Sequence, residues 1–234
     1  MKQNMEQHKD NKKKLPSLHD KIVLKLSNDL KPISFKKPFT IFLLWFLPSI
    51  SIAFLFALFM GWRPDLNAKF HTLSFLLGWS ALFLAMIASS WFAIKMSLPG
   101  QEPKKYTRIF ILMIPFVFMA YETIRLGGYF SWKLFLHDLH FDYPCTLAIF
   151  VISFIPLMIL SFLTSRLAPL KPFWTAWIIA TATMLLGSLI VELHCAIENG
   201  CHLALWHYFP VFVFSFLIAL PLQRFLRKWK SKLH

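Results

Sequence analysis

The sequence predicts an all-α protein: a six-helix transmembrane bundle preceded by a short cytoplasmic amphipathic helix. Three observations lead there. Of 234 residues, 57% are hydrophobic and 15% charged, and Phe alone numbers 26; soluble domains carry about 25% charge, and one soluble core of this length cannot hide so much apolar surface. Six predominantly apolar runs reach the roughly 20 residues that a helix needs to cross a bilayer. Lys and Arg then divide sharply by loop, as the positive-inside rule requires of a multi-span protein. A β-barrel would instead alternate over strands of about 10 residues.

The chain begins with a polar, Lys-rich stretch, Met1–Lys14, that reads as unstructured. Leu15–Leu30 differs. Ser17 with Asp20 fits a capping box. Leu18, Ile22, Leu26 and Leu30 recur every four residues with Val23 beside them, giving one apolar stripe. Lys21, Lys25, Asn28 and Asp29 lie off the stripe, and Pro32 ends the helix. A helix of about four turns cannot bury that stripe against itself. It needs a membrane surface or a protein partner.

The apolar runs are Phe39–Gly61, Thr72–Met96, Thr107–Leu126, Cys145–Arg166, Phe173–His194 and Leu203–Phe225. Breakers separate them: Arg63-Pro64-Asp65, Pro99-Gly100 with Pro103, Gly127-Gly128, Pro169 with Pro172, and Asn199-Gly200. The first run follows a long basic segment and has no convincing small-residue cleavage site, so it reads as a retained span. With the N-terminus inside, the cytoplasmic pieces hold 21 of the 25 basic residues, and the outer pieces only Arg63, Lys69, Arg125 and Lys133. Both termini are therefore expected in the cytoplasm. The net charge of +14 is a topology signal, with some attraction for anionic lipid headgroups, and not a nucleic-acid footprint. The resulting organisation is residues 1–38 as a cytoplasmic segment, 39–226 as the transmembrane domain and 227–234 as a basic tail. Small residues four apart, Ala176/Ala180 and Thr183/Gly187 in the fifth run and Ala81/Ala85/Ser89 in the second, predict close helix packing. Trp62, Tyr106, Tyr129, Trp132, Tyr143, Trp206 and Trp229 form an interfacial belt.

Candidate chemistry gathers at the predicted outer face. Cys145 opens the fourth run, Cys195 closes the fifth and Cys201 follows the next turn. His194, Cys195, Cys201, His202 and His207 fall within 14 residues. Thiolate and imidazole suit zinc, copper or cadmium; the plain alternatives are small buried cysteines and histidines at wet helix ends. Cys145 and Cys195 are expected close together at one depth, able to bond only if both side chains face the seam between the fourth and fifth runs, and Cys201 competes for Cys195. Glu122 and Arg125 read as a helical pair, and Glu192 sits at the end of the fifth run. No nucleotide loop, HExxH, GxSxG or midplane carboxylate pair occurs, so no enzyme site is expected. The competing classes are a small-molecule or metal transporter and a membrane thiol oxidoreductase. The first lacks charged midplane residues, and the second lacks a CxxC.

Several segments resemble, in order, the NrsF-like integral-membrane anti-sigma factors of bacteria: Leu26-Ser-Asn-Asp-Leu-Lys-Pro32, Gly61-Trp-Arg-Pro-Asp-Leu66, Leu98-Pro99-Gly100, Cys145 with Pro156 and Arg166 to Pro172, Leu193-His194-Cys195 with Leu205-Trp206-His207, and Arg224 to Trp229. The resemblance runs from about residue 22 to 229. It implies six inner-membrane spans and a cytoplasmic N-terminus that holds an extracytoplasmic-function sigma factor, here through Leu18, Ile22, Val23, Leu26, Asp29 and Leu30. It also implies outer-face cysteines, Cys145 and Cys195, linked to stress sensing by a redox or heavy-metal signal. Cys201 is an additional thiol, His194, His202 and His207 are candidate metal ligands, and no resident cofactor is implied. The chain departs from the family pattern in having Cys195-Ala196 for the usual Cys-Pro, and Ala219 and Pro221 for the usual glycines of the last span.

Overall fold

The six apolar runs are all helical in the computed structural model, and no strand occurs among the described residues. The structure describes residues 37–127 apart from 99 and 102, and residues 143–230 apart from 168, 198 and 199. Of residues 114, 115, 118, 122, 123, 125–127 and 228–230 it describes the backbone alone. The Ser17–Leu30 helix and its stripe, Tyr129, Trp132 and the Glu122–Arg125 pair lie outside these descriptions.

The elements are α1 (Pro38–Met60), α2 (Leu66–Phe70), α3 (Leu73–Ser97), α4 (Lys105–Gly127), α5 (Tyr143–Ser165), α6 (Pro172–His194), α7 (Gly200–His202), a π-helical segment (Leu203–Tyr208) and α8 (Phe209–Lys230). Pro38 and Pro172 occupy the first turns of α1 and α6, where the missing N–H costs nothing and the fixed φ suits the helix. Gly61, at φ 81°, lets the chain leave α1 in a left-handed conformation closed to other residues.

Among the described residues, five helices are long and apolar enough to cross a membrane: α1, α3, α5, α6 and the continuous Gly200–Arg227 stretch. The third run, α4, is a 23-residue helix but not one of the five. Lys105, Arg108, Glu122 and Arg125 punctuate it and shorten its apolar stretch.

Helix α6 is the axis of the bundle. Of its apolar window 89% is buried, against 28–39% in the other four, and α3, α5 and α8 pack around it. Its sequence explains this. Ala176, Ala180, Ala182, Thr183, Gly187 and Ser188 are small and fully covered, so neighbouring backbones approach closely. The approach is tightest at Gly187, which lies against Ile149 and Ser153 of α5. Buried hydroxyls bond within their own helices, as Thr181 does to the Trp177 carbonyl (2.9 Å) and Thr183 to the Ile179 carbonyl (3.1 Å). Two indoles stitch distant helices. Trp45, completely buried, donates to the Pro156 carbonyl at 3.1 Å, and Trp79 donates to the Leu189 carbonyl at 3.2 Å. The exterior is apolar, with Leu47, Leu55, Phe59, Leu77, Leu84 and Phe154 exposed. Large apolar groups outside and small hydroxylated ones inside suit a helix bundle whose solvent is lipid.

Candidate functional site

At one end of the bundle the α1–α3 connection lies against the end of α6. The Arg63 N–H donates to the Leu193 carbonyl at 3.2 Å, and His194 Nδ1 lies 2.9 Å from the Gly61 carbonyl. Arg63 is buried and grips Asp65 with both arms of its guanidinium, Nε to Oδ1 at 2.7 Å and Nη2 to Oδ2 at 2.8 Å. That hydrogen bond holds the Asp65 carboxyl below its ordinary range. The Arg63-Pro64-Asp65 turn was legible in the sequence as a breaker, not as the clasp it makes. An Arg two residues before an Asp across a proline was the available signal.

Next to this clasp, the first turn of α5, the residue capping α6, and the α7–π junction converge. Cys145 and Cys195 bring their sulfurs to 3.9 Å. Cys195 Sγ lies 3.3 Å from His202 Nε2. The rings of His202 and His207 meet with centroids 5.3 Å apart, and both residues are fully buried. The ligand atoms of Cys145, Cys195, His202 and His207 all lie within 4.8 Å of one another. None of the three cysteines is in a disulfide.

The π-helical segment makes this cluster. Five residues on an α-helix advance about 500°, which would leave His202 and His207 about 140° apart. A π segment closes i→i+5, so every fifth residue returns over the first. The interruption thus gives two histidines five apart the spacing that residues four apart have on an α-helix. Such segments are rare and frequent at functional sites.

The hydrogen bond from the Cys145 thiol holds Cys195 well below the usual thiol range. Burial opposes this, and the imidazoles of His202 and His207 reinforce it. Beside the cluster is a cleft of about 70 Å³ whose wall includes Lys69, Glu192, Cys195, His207 and Tyr208. Tyr208 donates to Glu192 at 3.2 Å across it.

The structure therefore unites four of the six predicted thiol and imidazole positions, Cys145, Cys195, His202 and His207. Cys201 is buried beside them but outside the set. His194 is exposed and turned to Gly61 instead, because the residue capping α6 faces the cluster and the one before it faces the first connection. Chemically, the four-residue arrangement can bind a thiophilic cation or close a disulfide.

The chain matches the family model NrsF, described as negative regulator of sigma F, over residues 26–229. No curated protein and no solved structure matches it.

Proposed function

The chain belongs to the NrsF family of negative regulators of sigma F, and from that membership we propose that it is an anti-sigma factor of the bacterial inner membrane. In this reading α4 also spans the membrane, as the third of six spans, and both termini face the cytoplasm. Residues 1–38 hold an extracytoplasmic-function sigma factor through Leu18, Ile22, Val23, Leu26, Asp29 and Leu30, keeping it from RNA polymerase. The family match takes in Leu26, Asp29 and Leu30 and begins after the first half of the stripe. The chain acts by binding its partner and catalyses no reaction. The protein partner is the sigma factor, not nucleic acid, and the solvent is the bilayer.

The signal enters at the outer face, as a redox change or a heavy-metal ion captured by Cys145 and Cys195. The observation that carries this part is the 3.9 Å approach of the two sulfurs at the ends of α5 and α6. Closing them to the disulfide length of about 2.05 Å passes two electrons to a two-electron oxidant, which is the redox signal itself, and any proton still held by the pair goes to water. It also draws the ends of α5 and α6 together. Because α6 is the axis of the bundle, such a shift reaches the Arg166–Lys171 turn at its other end. The absence of charged side chains from the middle of the described spans favours a regulator over a transporter.

The test is transcription from a sigma-dependent reporter in cells carrying the full chain, with co-purification of the sigma factor from membranes. Deleting residues 1–31 is expected to release transcription. Cys145→Ser with Cys195→Ser is expected to keep repression and to lose induction. Unchanged transcription after the deletion refutes the sequestration reading, and unchanged induction in the double variant refutes the sensing reading.

A further inference from the structure

We infer that Cys145, Cys195, His202 and His207 form a closed tetrahedral site for a divalent d¹⁰ cation, with Zn²⁺ as its resident ion. The inference rests on the reading of this cluster as the signal input and adds the chemical species that occupies it at rest.

The distances suit the ion. Metal–sulfur bonds of about 2.3 Å and metal–nitrogen bonds of about 2.0–2.1 Å at tetrahedral angles separate two sulfurs by about 3.8 Å and a sulfur from a nitrogen by about 3.5 Å. The structure has 3.9 Å between the sulfurs and 3.3 Å between Cys195 Sγ and His202 Nε2. The remaining pairs lie within 4.8 Å, so small side-chain movements complete the tetrahedron.

The donor set and charge also fit. Two thiolates and two imidazoles in tetrahedral array select zinc over the hard cations that prefer oxygen. Binding forms two metal–sulfur and two metal–nitrogen bonds, and any proton still held by a ligating thiol passes to water. The product has no net charge, which is what a site with both histidines fully buried at the end of an apolar bundle requires. No fifth donor from Cys201 or His194 is needed. The cleft along Lys69, Glu192 and Tyr208 reaches Cys195 and His207 and provides a way in.

The ligands come from three separate pieces of chain: the first turn of α5, the cap of α6 and the α7–π junction. One ion therefore ties the start of α5 to the end of α6 and the α7–π junction, to which α5 has no covalent link at this end. It also explains the π-helical segment, which aligns His202 with His207.

The test uses the full chain in detergent or nanodiscs, stripped with chelator and titrated with Zn²⁺ and, separately, with Co²⁺ as a spectroscopic probe. Expected are one ion per chain and a Co²⁺ spectrum with thiolate charge transfer and intense tetrahedral d–d bands. Cys145→Ser, Cys195→Ser, His202→Gln and His207→Gln should each weaken binding by at least about 100-fold, beyond the usual effect of changing a residue that only supports a ligand. Cys201→Ser and His194→Ala should leave it unchanged. The spectrum and stoichiometry of the unaltered chain decide the matter even where a variant does not fold. An octahedral Co²⁺ spectrum, no bound ion, or full binding by the Cys145→Ser, Cys195→Ser double variant overturns the site. If Zn²⁺ does not bind but the reporter still responds through Cys145 and Cys195, the zinc site falls and the sensing reading stands. If Zn²⁺ binds and the reporter is unresponsive, the site stands and the sensing reading falls.

Discussion

Replacing Gly187 by Ala probes the tightest helix crossing in the bundle. A Cβ at this position would come within 2.6 Å of the Ile149 carbonyl oxygen and 3.2 Å of its Cα, and would fall on the Ser153 hydroxyl. Ordinary contact begins near 3.4 Å, so α5 and α6 must part by about 0.8 Å locally. The Ser153 side chain can turn away, but the carbonyl belongs to the α5 backbone and cannot. A backbone clash this short lies at the upper end of overpacking costs, about 2–3 kcal/mol, and the better helix propensity of Ala returns about 1 kcal/mol. The net is a loss of about 1–2 kcal/mol. At about 2–4 °C per kcal/mol for a chain of this size, the midpoint should fall by roughly 2–8 °C. The effect has a local reading as well. Ile149 lies one turn from Cys145 and Gly187 about two turns from Cys195, so parting the helices should separate the 3.9 Å sulfur pair and lower the yield of an oxidatively formed Cys145–Cys195 bridge. The assay is thermal unfolding of the full chain in detergent, followed by tryptophan fluorescence, with bridge formation measured by mass spectrometry. An unchanged or raised midpoint would refute the close crossing, and an unchanged bridge yield would refute its coupling to the thiols.

Three further outcomes are expected. Trp45→Phe removes the indole donor to the Pro156 carbonyl and leaves a gap where a fully buried indole stood; the loss should be about 1–3 kcal/mol, and a midpoint equal to the parent's would show that the bond contributes nothing. Asp65→Asn takes the carboxylate from the Arg63 clasp. Because that carboxyl is held below its ordinary range, its stabilisation is full at neutral pH and fades as pH falls through the lowered value, so the variant's midpoint should lie below the parent's at pH 7 and converge with it in acid, whereas a constant gap would contradict the assignment. Cys201→Ser should leave both Cys145–Cys195 bridge yield and reporter induction unchanged, since Cys201 stands outside the four-residue set; a lost response would make it a member.

The amino-acid sequence alone determined the helices. An apolar run of about 20 residues has no other way to satisfy its backbone in lipid, so the boundaries of α1, α3, α5 and α6 fall within two residues of the sequence reading. The small residues of α6 also announced a crowded helix, although not that it would be the axis, because centrality depends on which neighbours surround a face. Length and apolarity single out only the other five as spans among the described residues, because charged residues punctuate α4. The site was legible as residue types and in the nearness of Cys145 to Cys195, which the antiparallel runs place at one depth; the rest of its geometry was not. Cys201 remained a competitor of Cys145 for Cys195, and His194 was as good a ligand as His202. The choice rests on side-chain direction where three chain segments meet. His202 and His207, five apart, would diverge on any α-helix, and only the π-helical segment brings their rings to 5.3 Å. Apolar transfer acts residue by residue and is written in the composition. Ligand convergence depends on the turn of each helix about its own axis, and only packing fixes that.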